Sequence, residues 1–278
     1  MGEIYCWFSG GRDSAVACKL AHDVAQIRDF GFKLIHIDTT TPRPRDVNEY
    51  IRAYADWMGA DLIILRPPNT FRELAEKYPY WPALKPDRYR WCYHLLKQAA
   101  VVNFLEDNRD ALAALHVFAV RRDESLFRER EYTETFTRKC YKEDLCIRVW
   151  LPLLYADDMT INALIKKWKI PESPVWHKLG YSGECQCLAG TSYNTLLKLY
   201  IHYPEVVEEL AEIDDVIQSN RKRAKEPSYP VPLRNKKKTL REWLVEMKRQ
   251  PRLTDFIVTE INNYVGKACQ GSCIWPEP

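Results

Sequence analysis

The first half of the chain alternates short apolar runs with segments of helical periodicity. The apolar runs predict buried strands over residues 4–8, 32–38, 62–65, 115–120 and 147–151. Segments with apolar residues on one helical face lie between them, at residues 13–27, 46–58, 70–78 and 92–105. Strands separated by helices are typical of βαβ units, in which the helix carries the chain back to a parallel neighbour. The pattern therefore predicts an α/β fold with a doubly wound, mostly parallel sheet.

After Pro152 the pattern becomes helical. Helices are predicted over residues 159–168, 191–200, 205–220 and 239–250. Thr239 and Glu242 form a capping box at the start of the last helix, and Thr70 and Glu73 form another at the start of helix 70–78. We therefore expect a nucleotide-binding α/β domain over residues 1–155 and a helical, cysteine-bearing region over residues 156–278.

Charge is distributed unevenly along the chain. Of its 278 residues, 46% are apolar and 28% are charged, which is enough apolar material for a core and excludes wholesale disorder. The formal net charge is +3, but residues 221–252 alone carry twelve Lys and Arg against three acids. This basic segment also contains prolines, so we expect an exposed linker. Alternatively, its cations bind the backbone of an RNA or DNA substrate.

The nine cysteines suggest thiol or metal chemistry. No apolar run approaches the roughly 20 residues of a membrane span, and the first residues lack the basic and apolar regions of a secretory signal. We therefore expect a cytoplasmic protein with no membrane contact. In that compartment free thiols, a metal site or a cluster are commoner than a framework of disulfides.

The most informative segment lies between the first strand and the first helix. It reads Ser9-Gly10-Gly11-Arg12-Asp13-Ser14. The two glycines let the backbone approach an anion, and the following helix offers unpaired N–H groups and the positive end of its dipole. Two serine hydroxyls add donors. These residues predict a site for phosphate or pyrophosphate, although neither the dinucleotide fingerprint nor the Walker A spacing is present.

This loop resembles the signature of the PP-loop (pyrophosphate loop) superfamily, and further blocks resemble its phosphoadenosine-phosphosulfate (PAPS) reductase-like branch. Those blocks are His36-Ile37-Asp38-Thr39, Tyr89-Arg90-Trp91-Cys92 with Lys97, residues 120–125 with Arg128, and residues 152–153, 170–176 and 180–181. Ala119 departs from the pattern, because glycine is usual there. The resemblance implies an adenine nucleotide alpha hydrolase-like fold and an adenine nucleotide as ligand.

The resemblance also implies which residues form the site. Residues implied to bind the nucleotide are Ser9, Gly10, Gly11, Arg12, Asp13, Ser14, Asp38, Thr39, Arg90, Arg121, Arg122 and Arg128. Asp13, Lys97 and Arg121 are the candidates for catalytic roles. Most follow successive strands, so they meet at the carboxyl edge of a parallel sheet, where open α/β folds bind ligands. Guanidinium groups there suit phosphate and sulfate oxygens.

Cysteines from separate blocks form a candidate metal site. Cys185 and Cys187 occupy the position of the family's cysteine block, although Ser182 replaces an arginine and the spacing is C-x-C. In iron–sulfur members such cysteines hold a 4Fe–4S cluster, which implies Cys92, Cys185, Cys187 and Cys273 as ligands, with Cys269 as the alternate. A structural zinc, or no metal at all, remains open. Cys140 and Cys146 could pair across a hairpin, whereas Cys6 and Cys18 are expected to be buried thiols.

Two reactions are compatible with this fold. In one, ATP accompanied by Mg²⁺ adenylates an acceptor, RNA, DNA or a small molecule, and a sulfur donor then displaces AMP; Asp13 and Asp38 are the nearby acids. In the other, a cysteine attacks adenylyl sulfate or PAPS and releases sulfite, with a thioredoxin-like reductant. The chain lacks the C-terminal E-C-G-L-H block of thiol-dependent reductases, so adenylation-coupled sulfur transfer is favoured. A third hypothesis is a nucleotide-binding regulator without catalysis.

Overall fold

One six-stranded sheet forms the centre of the molecule. The computed structural model describes residues 2–82, 90–220 and 228–249. The strands are β1 (Glu3–Trp7), β2 (Gly31–Ile37), β3 (Asp61–Leu65), β4 (Leu115–Val117), β5 (Phe136–Lys142) and β6 (Leu145–Trp150). Their order is β3-β2-β1-β4-β6-β5. All neighbours are parallel except the β5–β6 hairpin, which is antiparallel.

Helices cover both faces of this sheet. The α-helices are α1 (Arg12–Arg28), α2 (Arg45–Met58), α3 (Phe71–Lys77), α4 (Ala99–Asp107), α5 (Leu126–Glu131), α6 (Asp158–Trp168), α7 (Pro174–Leu179), α8 (Tyr193–His202), α9 (Pro204–Ser219) and α10 (Leu240–Arg249). A π-helical turn, Tyr93–Gln98, leads directly into α4. The predicted class, a doubly wound α/β fold with a helical C-terminal extension, is confirmed.

Alternation along the strands explains the two-sided core. In β1, Ile4 and Cys6 face the side covered by α1 and α2, whereas Tyr5 and Trp7 pack with residues of α4 and β6. The first of these two cores continues from β1 through α6–α9 to Trp243 of α10. The predicted division of the chain at residues 155 and 156 is not decided by this packing and stays a prediction.

Both capping boxes are present. The backbone N–H of Thr70 donates to Glu73 at 2.7 Å, and that of Thr239 donates to Glu242 at 2.8 Å. The return bonds, from the N–H of each glutamate to the threonine hydroxyl, measure 3.2 and 3.1 Å. Each box satisfies helical donors that would otherwise lack partners, so these short local signals mark helix starts reliably here.

The described part of the basic segment is packed, so the expectation of an exposed linker is wrong for it. Ser228 and Leu233 are buried, and the Ser228 hydroxyl accepts a hydrogen bond from the backbone N–H of Trp81 at 3.0 Å. The apolar residues between the cations hold this stretch to the body. Residues 221–227 and 250–252 lie outside the described ranges.

Within the described residues, two disulfides link neighbouring elements. Cys140 and Cys146 pair across the β5–β6 hairpin, as their positions suggested. Cys6 and Cys18 also form a disulfide, so the expectation of two buried thiols is wrong. The physical reason is proximity, because α1 folds back onto β1 and brings the two Cα atoms to 5.5 Å.

Among the helices in the described part of the chain, none is long and apolar enough to cross a membrane.

Candidate nucleotide and thiol site

The phosphate loop joins β1 to α1 in a tight turn. Gly10 has a φ of 78°, a left-handed conformation that favours glycine. The Ser14 hydroxyl donates to the Gly11 carbonyl at 2.9 Å, and the backbone N–H of Ser9 donates to that hydroxyl at 3.2 Å. Among the described residues no side chain caps the N-terminus of α1, so its first N–H groups stay available for an anion.

A cavity of about 480 Å³ opens beside this loop. Its volume is in the range of small-molecule sites. Lining residues predicted from the sequence are Ser9, Ser14, Arg90, Lys97 and Arg128. The structure therefore brings together the loop, the block around Arg90 and the block around Arg128 at one sheet edge, where the open α/β rule places ligands.

Other predicted residues lie near the cavity without lining it. Arg12 turns towards the C-terminal region, where it pairs with Glu172 at 3.5 Å and lies 4.2 Å from the ring centroid of Trp176. Asp38, at the end of β2, pairs with Arg43 at 2.8 Å and Arg66 at 3.3 Å. These two predicted nucleotide contacts are therefore engaged with protein partners.

Thr39 and Arg122 are engaged in the same way. Thr39 is buried, and its hydroxyl is 3.1 Å from that of Thr41. The Arg122 guanidinium donates to the Glu129 carbonyl at 3.1 Å and lies 5.6 Å from the ring centroid of Tyr155. Neither residue lines the cavity in this structure.

Arg121 is a buried cation behind the phosphate loop, and three aspartates lie around it. Its side chain is 7% exposed and lies 3.6 Å from Asp13, 3.0 Å from Asp123 and 2.7 Å from Asp158. Burial raises the pKa of Asp13, and Arg121 opposes that rise. Burial lowers the pKa of Arg121, but the surrounding carboxylates outweigh it and the net shift is upward. The arrangement fixes Asp13 at the start of α1.

Three predicted ligand cysteines lie together. Cys92, Cys185 and Cys187 are free thiols, and Cys187 is hydrogen-bonded to both others. The hydrogen bond from Cys187 lowers the pKa of Cys92, whereas the hydrogen bond to Cys187 and burial raise the pKa of Cys185. Among the described residues, no group of three or more His, Cys, Asp or Glu is arranged to hold a metal ion. Cys269 and Cys273 lie outside the described ranges.

An ion pair connects the thiols to the cavity. Lys97 Nζ lies 2.6 Å from Glu184 Oε1, and both residues line the cavity. Burial opposes the charge of Lys97, but Glu184 and the sulfurs of Cys185 and Cys187 outweigh it and raise the pKa of the lysine. Sequence reasoning missed Glu184, although its position directly before the C-x-C pair could have drawn attention to it.

The cysteine-bearing segment packs directly on the nucleotide-binding body. The backbone N–H of Gln186 donates to the Thr41 hydroxyl at 3.1 Å, and the Thr39 hydroxyl donates to the Glu184 carbonyl at 3.4 Å. A side chain added at Gly11 would meet Ser182 Cβ at 3.5 Å. The segment therefore forms one wall of the site.

Aromatic residues complete the cavity and were not identified from the sequence. Tyr93, Phe118, Tyr132 and Tyr141 line it, together with Lys139 of β5. The alternating polar pattern of residues 136–142 was the available signal, but it does not reveal that β5 folds against the site.

Comparisons with known proteins identify a matching family and two similar solved structures. The family model of the phosphoadenosine phosphosulfate reductase domain matches residues 3–188. Among solved structures, the chain is similar to phosphoadenylyl-sulfate (PAPS) reductase from Candida auris in a phosphate complex, with 17% identity, a TM-score of 0.44, and coverage of 65% of this chain and 79% of that one. It is also similar to the NH3-dependent NAD synthetase from Campylobacter jejuni subsp. jejuni NCTC 11168 in complex with the nitrate ion, with 17% identity, a TM-score of 0.38, and coverage of 82% and 89%.

No curated protein matches the chain. The family model spans the phosphate loop, the Arg90 and Arg121 blocks and the C-x-C pair, which is well over half of the sequence. The chain therefore belongs to the phosphoadenosine phosphosulfate reductase domain family.

Proposed function

We propose that this protein is a PP-loop enzyme that binds an adenine nucleotide and uses it for adenylation-coupled sulfur transfer. The observation that carries this proposal is the Lys97–Glu184 pair, which lines the cavity and borders the thiols of Cys185 and Cys187. A nucleotide on the phosphate loop would thus lie next to a group of sulfur atoms. That juxtaposition suits a reaction that couples nucleotide cleavage to sulfur chemistry.

The phosphates are assigned to the loop because its donors suit them. The start of α1 supplies backbone N–H groups and the positive end of the helix dipole, and Ser9 supplies a hydroxyl. Arg90 and Arg128 line the same cavity and add positive charge around the anion. The loop, rather than any one side chain, fixes where the α-phosphorus lies.

The proposed reaction has two displacements. An acceptor oxygen attacks the α-phosphorus of ATP, the bond to the β-phosphate oxygen breaks, and pyrophosphate leaves. A sulfur nucleophile then attacks the activated carbon, and its bond to oxygen breaks with release of AMP. Lys97 and the arginines stabilise the negative charge that develops on the phosphate oxygens in the first step.

The three clustered cysteines are the candidate ligands of a group coordinated by thiolates, although the described residues alone are not arranged to hold a metal ion. Cys92, Cys185 and Cys187 contribute three sulfurs, and Cys273 or Cys269 is the candidate for the fourth. Such a group, a 4Fe–4S cluster or a zinc ion, would supply a metal centre that binds sulfur, or a structural link between the segments that carry the cysteines. Lys97 next to it would balance the negative charge of the thiolates.

The two carboxylates expected to bind Mg²⁺ are already paired with arginines. Asp13 is paired with Arg121 and Asp38 with Arg43 and Arg66, so neither carboxylate is without a partner. We therefore infer that Mg²⁺ enters together with the triphosphate, held mainly by phosphate oxygens.

A small-molecule acceptor is favoured over a nucleic acid by the described part of the basic segment. Lys238 pairs with Glu246, Arg241 with Asp215, and Lys248 with Glu208. These ion pairs reduce the positive charge available for a phosphate backbone. Binding of RNA or DNA by the cations of residues 221–227 and by Arg252, which lie outside the described ranges, stays a prediction.

Reduction of adenylyl sulfate or PAPS is the second candidate, and Cys92 favours it. A pKa lowered by its bond to Cys187 increases the thiolate fraction of Cys92. That thiolate could attack the sulfate sulfur, break its bond to oxygen and release the nucleotide. Cys187 could then form a disulfide with Cys92 and release sulfite, after which an external dithiol would restore both thiols.

A nucleotide screen tests the proposal. The full chain, purified without oxygen, is incubated with ATP or adenylyl sulfate in the presence of candidate acceptors (small molecules, RNA and DNA), a sulfide donor and a dithiol, and AMP, pyrophosphate and sulfite are measured. Sulfur transfer predicts AMP and pyrophosphate from ATP, whereas the reductase predicts sulfite from adenylyl sulfate. Asp13→Ala should abolish the activity, and Asp23→Ala, which removes an aspartate from the opposite end of α1, is the control. Neither product under any condition would leave only the non-catalytic regulator.

The cluster is tested separately by iron content and by absorbance at about 400 nm, the region of cysteinate-to-iron charge transfer. Loss of iron in Cys185→Ser, with nucleotide binding retained, would support the assignment. A colourless protein with neither iron nor zinc would refute it.

A further inference from the structure

The cavity has two chemically different flanks. On the β2 side it is lined by Ile35, Ile37 and Val101, which are apolar. On the β5 side it is lined by Lys139, Tyr141 and Tyr132. Because the strand order is β2-β1-β4-β6-β5, these flanks lie on opposite sides of the phosphate loop that follows β1.

Three tyrosines from separate elements meet at the β5 flank. Tyr93 belongs to the π-helical turn, Tyr132 follows α5, and Tyr141 belongs to β5. Burial raises the pKa of Tyr141, and the nearby phenols of Tyr93 and Tyr132 raise it further. No hydrogen bond among the described residues engages these hydroxyls, so they remain available to a ligand.

This flank also carries a cation, Lys139, that has no acidic partner in the part of the chain that the structure describes. Lys139 Nζ lies 5.6 Å from the ring centroid of Phe118 and 5.2 Å from that of Tyr141. Within the described ranges no carboxylate lies within 4.0 Å of it. The one carboxylate among the described lining residues, Glu184, is paired with Lys97. Lys139 is therefore set to pair with an anion from outside the protein.

A nucleotide held by its phosphates extends its base towards one flank only. The β2 flank suits an adenine ring, because apolar side chains pack against its faces. The β5 flank, with an ammonium group and phenolic donors, suits an anion instead. The wall between them includes the parallel rings of Trp7 and Phe118, whose centroids are 5.5 Å apart.

We propose that the β5 flank is the acceptor subsite and that it binds a planar organic carboxylate, with Lys139 and the hydroxyl of Tyr141 holding the carboxylate and the aromatic wall holding the ring. This inference rests on the proposed adenylation reaction and names its acceptor. One carboxylate oxygen attacks the α-phosphorus of ATP, pyrophosphate leaves, and an acyl adenylate forms. Sulfide then attacks the acyl carbon, the bond from that carbon to the AMP oxygen breaks, and AMP and a thiocarboxylate are released.

A carboxylate fits better than a second phosphate group. The phosphate loop serves the nucleotide with backbone N–H groups, whereas the β5 flank offers side-chain groups instead: the Lys139 ammonium, the phenols, and the Arg90 guanidinium 5.2 Å from the Tyr93 ring centroid. An uncharged acceptor would leave Lys139 without a counterion in a half-buried site.

Calorimetric titration of the full chain tests the subsite directly. The probes are benzoate, nicotinate and 4-hydroxybenzoate, with benzamide as the uncharged control, each added with and without AMP. Lys139→Gln should weaken carboxylate binding about tenfold and Tyr141→Phe several-fold, since each removes a contact to a charged group. Lys142→Gln is the matched control, because this lysine is on the same strand and pairs with Glu106 outside the cavity.

The outcomes separate this inference from the proposed function. If ATP binds but no carboxylate binds at about 10 mM, the subsite assignment is wrong and the nucleotide assignment stands. The assignment is also wrong if benzamide binds as well as benzoate, or if Lys139→Gln and Lys142→Gln behave alike. A loss of AMP affinity in Tyr141→Phe would show that the β5 flank binds the nucleotide base, and would overturn the proposal. Carboxylate binding without ATP binding would instead refute the adenylation reaction.

Discussion

Replacing Lys97 tests whether the ion pair beside the thiols also controls the nucleotide. In Lys97→Met the cavity loses a cation, and the carboxylate of Glu184 is left beside the site of a bound anion. Two unfavourable effects then act together on ATP affinity. In Glu184→Gln we expect ATP affinity to rise, because the carboxylate is removed from the anion site and Lys97 is free to contact a phosphate group.

The magnitude follows from the geometry of the pair. At the observed 2.6 Å the gross Coulomb energy is about 6 kcal/mol for an effective dielectric constant near 20. Both side chains are mostly shielded, at 32% and 14% exposed, so desolvation cancels most of that gain. We expect a net coupling free energy of about 2 kcal/mol in a double-mutant cycle.

Urea unfolding and ATP titration of Lys97→Met, Glu184→Gln and the double variant measure both quantities. ATP affinity should fall roughly 30-fold in Lys97→Met, because a hydrogen bond to a charged group is lost, and should recover in part in the double variant. A coupling below about 0.5 kcal/mol, within the error of additivity, would contradict the proposed pairing. Equal ATP affinity in all four proteins would show that this pair does not border the nucleotide.

Three further predictions concern stability. Burial lowers the pKa of His116 from 6.5 to about 4, so the stability that the neutral imidazole contributes is complete above pH 6.5 and is lost as the pH falls towards 4, by about 3 kcal/mol in total. The free energy of unfolding, measured at several pH values, should therefore fall less steeply with acid in His116→Gln than in the unmodified protein. Equal slopes in the two proteins would contradict the lowered pKa. Reduction of the disulfide between Cys6 and Cys18 should lower the free energy of unfolding by about 3 kcal/mol, because the unfolded chain regains the entropy of the open loop. A urea unfolding midpoint that is the same in Cys18→Ser as in the unmodified protein would refute this. Asp214 is fully buried and accepts three hydrogen bonds, so Asp214→Ala should destabilise by about 3–5 kcal/mol, far more than the surface control Asp215→Ala; similar losses would argue against this network.

Local signals predicted much of the fold and the phosphate loop. The glycine pair and serines of residues 9–14 directly follow an apolar run, so both the turn and its anion-binding chemistry can be read from adjacent residues. The capping box at Thr70 is equally local. The convergence of Cys92 with Cys185 and Cys187 followed only from the family resemblance, because some 90 residues separate the blocks.

The remaining features depend on contacts that no local pattern encodes. Arg12 belongs to the loop signature, yet Glu172 and Trp176 draw its side chain away from the cavity. Lys139 and Tyr141 reach the site because β5 folds antiparallel onto β6 at the sheet edge. Side-chain direction and strand order are decided by tertiary packing, so these residues could be identified only from the structure.

The hydrogen bonds between the cysteine-bearing segment and the end of β2 have a thermodynamic consequence. A change at Cys185 or Cys187 that shifts Gln186 must disturb its bond to Thr41, close to where the nucleotide is proposed to lie. If thiol chemistry alters nucleotide affinity by some factor, nucleotide binding must alter the thiol equilibrium by the same factor. In that case the two halves of the site need no separate regulation, because each acts as an effector of the other.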